Sequence, residues 1–197
     1  MTTHLAAAAR DDVLFLTLEC ANGYPRLELA VMNSLAEAMG RLESASEFAG
    51  AVITGSERAF AVGADIAELA QLQACEGFDF SRRGQGVMAA IAASRKPVVA
   101  AIRGFCFGGG LDLALACQAR IASPDAIFAY PGGALGIITG WGGTQRLPRL
   151  IGRGRALEML VTGEKMSADE AYACGLVAGV TSDAELVPEA IRLARGG

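Results

Sequence analysis

The sequence predicts an α/β fold with mainly parallel strands joined by crossover helices, and three observations predict it. Short apolar or β-branched runs alternate with stretches of helical apolar spacing along the chain, the pattern of strand–helix–strand units. Pro97-Val98-Val99-Ala100-Ala101-Ile102 contains no polar residue, as a strand covered on both faces requires. The 25 glycines cluster at Gly104 to Gly110 and Gly132 to Gly143, so the backbone is shaped unusually at two places, and loops of that kind are where function is sought.

Val13 to Leu18 reads as a strand, because it is apolar, partly β-branched and followed by the Asn22-Gly23 turn signal. Val31 to Glu43 reads as a helix, since Val31, Met32, Leu35, Met39 and Leu42 recur at intervals that place them on one face. Gly50 to Gly55 is a buried strand ended by Gly, Ala64 to Gln73 a helix opened by Asp65, and Phe80 to Ser94 a further helix. The apolar strand at Pro97 to Ile102 feeds the glycine turn, and Leu111 to Cys117 continues with helical spacing. Downstream come a strand at Arg120 to Ala122, a Gly-rich loop from Pro131 to Gly143, and helices at Thr144 to Ile151, Arg155 to Thr162 and Ser167 to Cys174. A strand at Leu176 to Val180 and a helix at Glu185 to Arg195 close the chain, the helix being read as packed on its own core. No stretch rich in Pro and Ser or in like charge marks a linker, so residues 1–197 are expected to form a single domain, long enough to bury a core without disulfides or metals.

Composition excludes several classes. Apolar residues make up 52% and charged residues 19%, far from the disordered regime. A net charge of −4 with scattered basic residues offers nothing to a nucleic-acid backbone. Five cysteines with no C-x-x-C pair suit neither a disulfide framework nor a zinc site, and a reducing cytoplasm is the expected setting. Met1 to Arg10 lacks the cationic start and apolar core of a signal peptide, and every apolar run is broken well before it spans a bilayer.

The glycine turn has two readings. Consecutive glycines at a helix start allow close approach of another chain, which serves tight helix-on-strand packing; the same free N–H groups, with the positive end of the helix dipole, also form an oxyanion site. No Gly-Lys-Ser/Thr follows, and no G-x-G-x-x-G fingerprint runs through the turn. Asp112 lies in the first helical turn, where a carboxylate is favoured by the dipole whether or not it does chemistry. The single histidine, His4, falls in the terminal stretch and no G-x-S-x-G elbow exists, so a Ser-His-Asp hydrolase is excluded. Cys106 has no base partner and reads as a buried thiol.

Three segments together resemble the crotonase (enoyl-CoA hydratase/isomerase) family. They are Ala59-Phe60-Ala61-Val62-Gly63-Ala64-Asp65-Ile66; Lys96 to Gly104 with Gly108-Gly109-Gly110-Leu111-Asp112-Leu113-Ala114; and Leu135-Gly136-Ile137 with Trp141-Gly142-Gly143-Thr144-Gln145-Arg146-Leu147. Leu160 to Gly163 and Ala168 to Val177 extend the likeness, which runs from about Val13 to the C-terminus. The resemblance implies a crotonase-like spiral of ββα turns forming two near-perpendicular sheets surrounded by helices. It also implies an acyl-CoA thioester as ligand, coenzyme A being part of the substrate, with no separate cofactor and no metal. By position, the backbone N–H groups of Ala64 and Gly109 become the oxyanion hole for the thioester oxygen, with Asp65 shaping their loop. Family members are commonly trimers or hexamers, so the resemblance implies a homo-oligomer and no membrane partner.

The chain also departs from the family pattern. Hydratases of the family generally use two glutamates; Asp112 stands at the first position and Gly132 at the second. Gly140 occupies the place of a dehalogenase-type nucleophilic Asp. The sequence ends at Arg195-Gly196-Gly197 where relatives usually continue with helices that cover the acyl pocket, so a shortened C-terminus with a more open or neighbour-closed pocket is expected. The reading that follows is an enoyl-CoA hydratase-like lyase of fatty-acid type chemistry, with Asp112, Ala64 and Gly109 catalytic. The alternatives are an acyl-CoA decarboxylase, which needs the same enolate, and a CoA-thioester-binding homologue without chemistry. Arg26 and Lys96 are the charge-based candidates for the coenzyme A nucleotide, against the alternative of solvated surface charge. Trp141 either lines the acyl site or packs beneath it.

Overall fold

The computed structural model describes residues 2–197. Its opening strands β1 (His4–Arg10) and β2 (Val13–Glu19) form an antiparallel hairpin in which His4 faces Glu19 and Arg10 faces Val13. Helix α1 (Leu29–Ser44) follows and buries the apolar stripe read from the sequence, including Val31, Leu35, Met39 and Leu42. From here the chain lays down strands in pairs. β3 (Gly50–Thr54) and β4 (Ala59–Ala61) are followed by α2 (Ile66–Leu69) and α3 (Ala74–Ala92). β5 (Val98–Ile102) and β6 (Phe105–Phe107) are followed by α4 (Gly109–Ala116). β7 (Ala119–Ala122) and β8 (Ile127–Ala129) lead to a 3₁₀ turn at Pro131–Leu135, then α5 (Gly143–Ile151) and α6 (Arg153–Thr162). β9 (Met166–Ser167), α7 (Ala168–Ala173), β10 (Gly179–Val180) and α8 (Asp183–Ala194) complete the chain.

The first strand of each pair enters a six-stranded sheet ordered β1-β2-β3-β5-β7-β10, and the second enters a four-stranded sheet ordered β4-β6-β8-β9. β3, β5 and β7 run parallel in the larger sheet and β4, β6 and β8 parallel in the smaller one, so each ββ unit stacks on the one before it. This is the expected spiral. The corner between β5 and β6 needs Gly104: its φ is +52°, and a Cβ there would lie 2.0 Å from the Arg58 carbonyl oxygen.

The unbroken apolar character of the central strands has a direct cause, because the larger sheet is covered on both faces. Leu14, Leu16, Ile53, Val98, Ala100 and Ile102 point to the main core with α1, α3 and α4 residues, while Val13, Phe15, Val52, Val99 and Ala101 point to Leu186, Ala190 and Ala194 of α8. Alternation with period two puts successive residues on opposite faces, and each large aliphatic side chain so buried contributes about 1.5–3 kcal/mol. α8 therefore packs on its own sheet.

Several elements differ from the sequence reading. His4 is no loose terminus: β1 is the edge strand, and the His4 side chain sits 2.8 Å from Glu19. The helix expected from Ala64 to Gln73 is limited to Ile66–Leu69, and the next helix starts at Ala74 rather than Phe80, with the Glu76 side chain reaching back to accept from the Gln73 N–H at 2.7 Å. The glycine turn contains the short strand β6, and the strand expected from Leu176 is confined to Gly179–Val180. Lys96 is neither ligand-facing nor simply solvated. Its ammonium donates to the Leu42 and Ala45 carbonyl oxygens at 2.8 and 2.5 Å, capping the C-terminal end of α1 where the helix dipole favours a cation. Among the described residues, no helix is long and apolar enough to cross a membrane, and no group of three or more His, Cys, Asp or Glu side chains is placed to hold a metal ion.

Candidate active site

A cavity of about 480 Å³ opens where the smaller sheet meets the start of α4. Ala64, Gly109, Tyr130, Gly132, Thr139 and Trp141 line it, together with apolar side chains such as Val62, Leu69, Leu72, Phe80 and Leu160. Both glycine-rich segments thus converge on one place.

The two amides named as oxyanion donors are neighbours. A Cβ on Gly63 would lie 3.1 Å from the Gly109 nitrogen, and one on Gly109 would lie 3.5 Å from the Ala64 nitrogen. Gly109 is the first residue of α4, so its N–H has no partner within the helix, and Ala64 precedes the Asp65 cap of α2. Among the described residues neither amide donates to a backbone carbonyl. Left-handed φ values of +96° at Gly63 and +51° at Gly108 turn the chain immediately before each donor. A Cβ at Gly110 would meet the Ala61 carbonyl oxygen at 2.3 Å, so the third glycine serves close helix-on-strand approach. The packing reading of the glycine turn therefore holds at Gly110.

Asp65 shapes the loop that carries Ala64. Its Oδ1 accepts from the Ala67 and Glu68 amides at 2.8 and 3.4 Å, and its Oδ2 pairs with Arg26 Nη1 at 3.0 Å. The Ala67 amide, with the Glu68 amide and the Arg26 charge, holds this carboxyl below its usual range against the opposing effect of burial. Arg26 lies outside the residues lining the cavity, and one of its N–H groups is spent on Asp65.

Asp112 is fully buried and is not among the lining residues. Its Oδ1 accepts from the Tyr130 hydroxyl at 2.7 Å. Its Oδ2 accepts from the Thr139 hydroxyl and, at 3.2 Å, from the Trp141 N–H. Burial pushes the Asp112 carboxyl above its ordinary range, while the Thr139 and Tyr130 hydroxyls, the Trp141 amide and the charge of Arg146 act in the opposite direction. The phenol of Tyr130 is pushed well above its ordinary value by burial and by the Asp112 charge.

Gly132, which the family resemblance sets at the second acid position, lines the cavity, and its surroundings fit a residue without a side chain. A Cβ there would lie 2.7 Å from the Ile137 carbonyl oxygen. Gly140 also lines the cavity, and its carbonyl accepts from Gln85 at 2.8 Å. Trp141 packs in the core and also borders the cavity. It is 4% exposed, its ring lies 5.3 Å from that of Phe80, and it still forms part of the cavity wall. Cys106 is a fully buried thiol whose pKa burial raises well above the usual value.

Sequence reasoning brought Ala64, Gly109 and Asp112 to one region but missed Tyr130 and Thr139, which lie 18 and 27 residues beyond Asp112. One signal for Thr139 was available. It is the only hydroxyl-bearing or charged side chain from Pro131 to Gly143.

Comparison with known proteins gives the same direction. The family model described as Enoyl-CoA hydratase/isomerase matches residues 11–196. The chain is 48% identical over 144 residues to a crotonyl-CoA hydratase of Syntrophomonas wolfei, covering 73% of this chain and 55% of that protein. It is 41% identical over 157 residues to a short-chain-enoyl-CoA hydratase of Clostridium acetobutylicum, covering 79% and 60% respectively. The matches therefore span less than two thirds of those relatives' lengths. A crystal structure of an enoyl-CoA hydratase from Bacillus anthracis superimposes with a TM-score of 0.91 at 35% identity, over 98% of this chain and 76% of that one. With its paired strands, its two facing amides and these matches, the chain belongs to the enoyl-CoA hydratase/isomerase, or crotonase, family.

Proposed function

We propose that the protein is an enoyl-CoA hydratase-type lyase that adds water to a 2-enoyl-CoA thioester through an enolate held by the Ala64 and Gly109 N–H groups. The observation that carries this reading is the pair of adjacent amides, without backbone partners among the described residues, on the wall of an apolar cavity. Preorganised donors aimed at a developing oxyanion are worth about 3 kcal/mol each in transition-state stabilisation, because they need no reorganisation as charge appears. Asp112 supplies the acid–base function: Asp65, beside Ala64, is held ionised by the Ala67 amide and Arg26, whereas burial raises the proton affinity of Asp112 toward the range useful for catalysis.

The substrate class is argued from chemistry and from relatives. An apolar cavity suits an acyl chain, and the printed activities of the two relatives favour a short one such as crotonyl-CoA. Coenzyme A arrives with the substrate, so the reaction calls for no further cofactor. Arg26, whose side chain is 39% exposed, keeps guanidinium N–H groups beyond the one given to Asp65 and is the proposed contact for the coenzyme A moiety. A homo-oligomer, trimer or hexamer, in a cytoplasmic setting is the proposed working form. Exposed apolar side chains at Leu135, Ile138, Leu157 and Val161 support a covering copy.

Gly132 favours a second reading. With no second acid, decarboxylation of an acyl-CoA would use the same oxyanion hole and fewer proton-transfer groups. The experiment follows loss of the conjugated-thioester absorbance of crotonyl-CoA with wild type and Asp112→Asn. Turnover by wild type and its loss in the variant support hydration. Binding of crotonyl-CoA with turnover by neither removes hydration and leaves decarboxylation or ligand binding alone.

A further inference from the structure

Asp112 poses a problem for the chemistry just assigned to it, because no part of the residue reaches the cavity. Any proton it exchanges with a bound thioester has to pass through a group that touches both. Its carboxylate has three donors among the described residues: the Tyr130 hydroxyl, the Thr139 hydroxyl and the Trp141 backbone N–H. A backbone amide does not shuttle protons under these conditions. Tyr130 also borders the cavity, but the residue is only 3% exposed and its hydroxyl is closed in by α5, since a Cβ at Gly143 would sit 2.1 Å from it. Thr139 is half-buried and lines the cavity, and its hydroxyl bonds the Asp112 oxygen that Tyr130 leaves free.

We infer that Thr139 Oγ1 is the atom that exchanges protons with water and substrate, and that Asp112 acts only through it, held in register by Tyr130 and Trp141. This rests on the hydration reading. As the water oxygen bonds to Cβ, the Cα–Cβ π pair shifts toward the thioester to give the enolate. A water proton then passes to Thr139 Oγ1 while the original Thr139 hydroxyl proton passes to Asp112 Oδ2. The Asp112 carboxylic acid returns a proton through Thr139 Oγ1 to Cα, and the enolate collapses to the 3-hydroxyacyl thioester. Thr139 ends as it began, and H and OH have been added across the double bond. The relay also gives a role to a position in which one carboxylate serves both steps, since the hydroxyl can present the proton to Cβ-bound water and to Cα in turn.

The test uses the full chain with two reactions: hydration of crotonyl-CoA, and exchange of the α-protons of butyryl-CoA with D₂O, which needs the enolate but no added water. Thr139→Val removes the hydroxyl at nearly constant shape and is expected to lower kcat of both reactions at least about 100-fold with KM unchanged, the loss typical of a missing proton-transfer group. Thr139→Ser is expected to restore most of the rate, and Asp112→Asn added to Thr139→Val to cost little more, because the two act as a unit. A Val variant close to wild type overturns the relay, as does a Ser variant as slow as Val, which marks a packing role. Exchange without hydration in wild type, lost in Val and regained in Ser, upholds the relay and removes the hydration reading. Wild type active in neither reaction overturns both. Should the Val variant fail to fold, the dependence of the wild-type exchange rate on the D₂O fraction decides: a curved plot supports two protons in flight and a straight one overturns the relay.

Discussion

The indole of Trp141 lies so close to the backbone of Gly84 that a Cβ at residue 84 would come within 2.1 Å of its Cδ1 and Nε1 atoms. On its other side the same ring would meet a Cβ at Gly109 at 2.5 Å, so Trp141 is clamped between α3 and the glycine turn. Gly84→Ala is therefore expected to destabilise the protein by about 1–3 kcal/mol and to slow turnover by shifting the wall beside Gly109. Gly77 and Gly86 lie in the same helix with open space around them. There the Ala substitution should stabilise by about 0.5–1 kcal/mol through helix propensity. Urea unfolding of the three variants checks the contrast, and equal effects at all three positions would refute the clamp.

Asp112 gives a pH-dependent signature. Burial raises its folded-state pKa, so the folded protein binds more protons than the unfolded chain from about 3.9, the ordinary Asp value, up to that raised value. Stability contributed by this residue therefore falls as pH climbs through the window and is level above it. Asn at this position does not titrate, and carboxylates common to both proteins cancel in the difference. The stability of wild type minus that of Asp112→Asn should decline from about pH 4 upward and then flatten, as read from urea melts across pH. A difference that rises with pH contradicts it.

Arg120 is 7% exposed and donates to the Leu176 and Cys117 carbonyl oxygens at 2.7 Å and to Ala114 at 3.5 Å, gathering the C-terminal end of α4. Arg120→Met fills much of the volume but takes the donor from the Leu176 and Cys117 carbonyls, while Ala114 keeps the Cys117 N–H. A loss of roughly 3 kcal/mol is expected, the cost of buried acceptors stripped of their donor. Denaturant midpoints measure it, and a variant within experimental error of wild type would show that water reaches these carbonyls.

Gly132 should resist restoration of the second acid. A Cβ meets the Ile137 carbonyl oxygen at 2.7 Å, and the Ile137 N–H already donates to the Gly132 carbonyl at 2.9 Å, so the turn closes over the position. Gly132→Glu is expected to cost about 1–3 kcal/mol and to leave hydration no faster. A rise in kcat on crotonyl-CoA would mean that the turn yields and that one acid limits the native rate.

Much of the fold was legible. Core strands declared themselves as apolar runs because the larger sheet is covered on both faces, and α1 declared itself through apolar spacing. β1 did not, because its alanines carry little pattern and its exposed, edge position demands none. The split of Ala64 to Gln73 into a cap and a short helix turned on the Asp65 side chain accepting two amides, and a run of residues with fair helix propensity conceals that competition.

Local order along the chain was enough to determine the α/β class, the two glycine-rich segments, the likeness to the family and the positions of Ala64, Gly109 and Asp112, since each depends on short-range pattern. Only the tertiary structure decided that Asp112 is sealed from the cavity, that Tyr130 and Thr139 hold its two oxygens, that one N–H of Arg26 pairs with Asp65, and that Lys96 caps the end of α1. Those outcomes depend on which side chains meet across separations of 18 to 54 residues. Spacing along a chain does not encode such meetings; the stacking of one ββ unit on the next creates them.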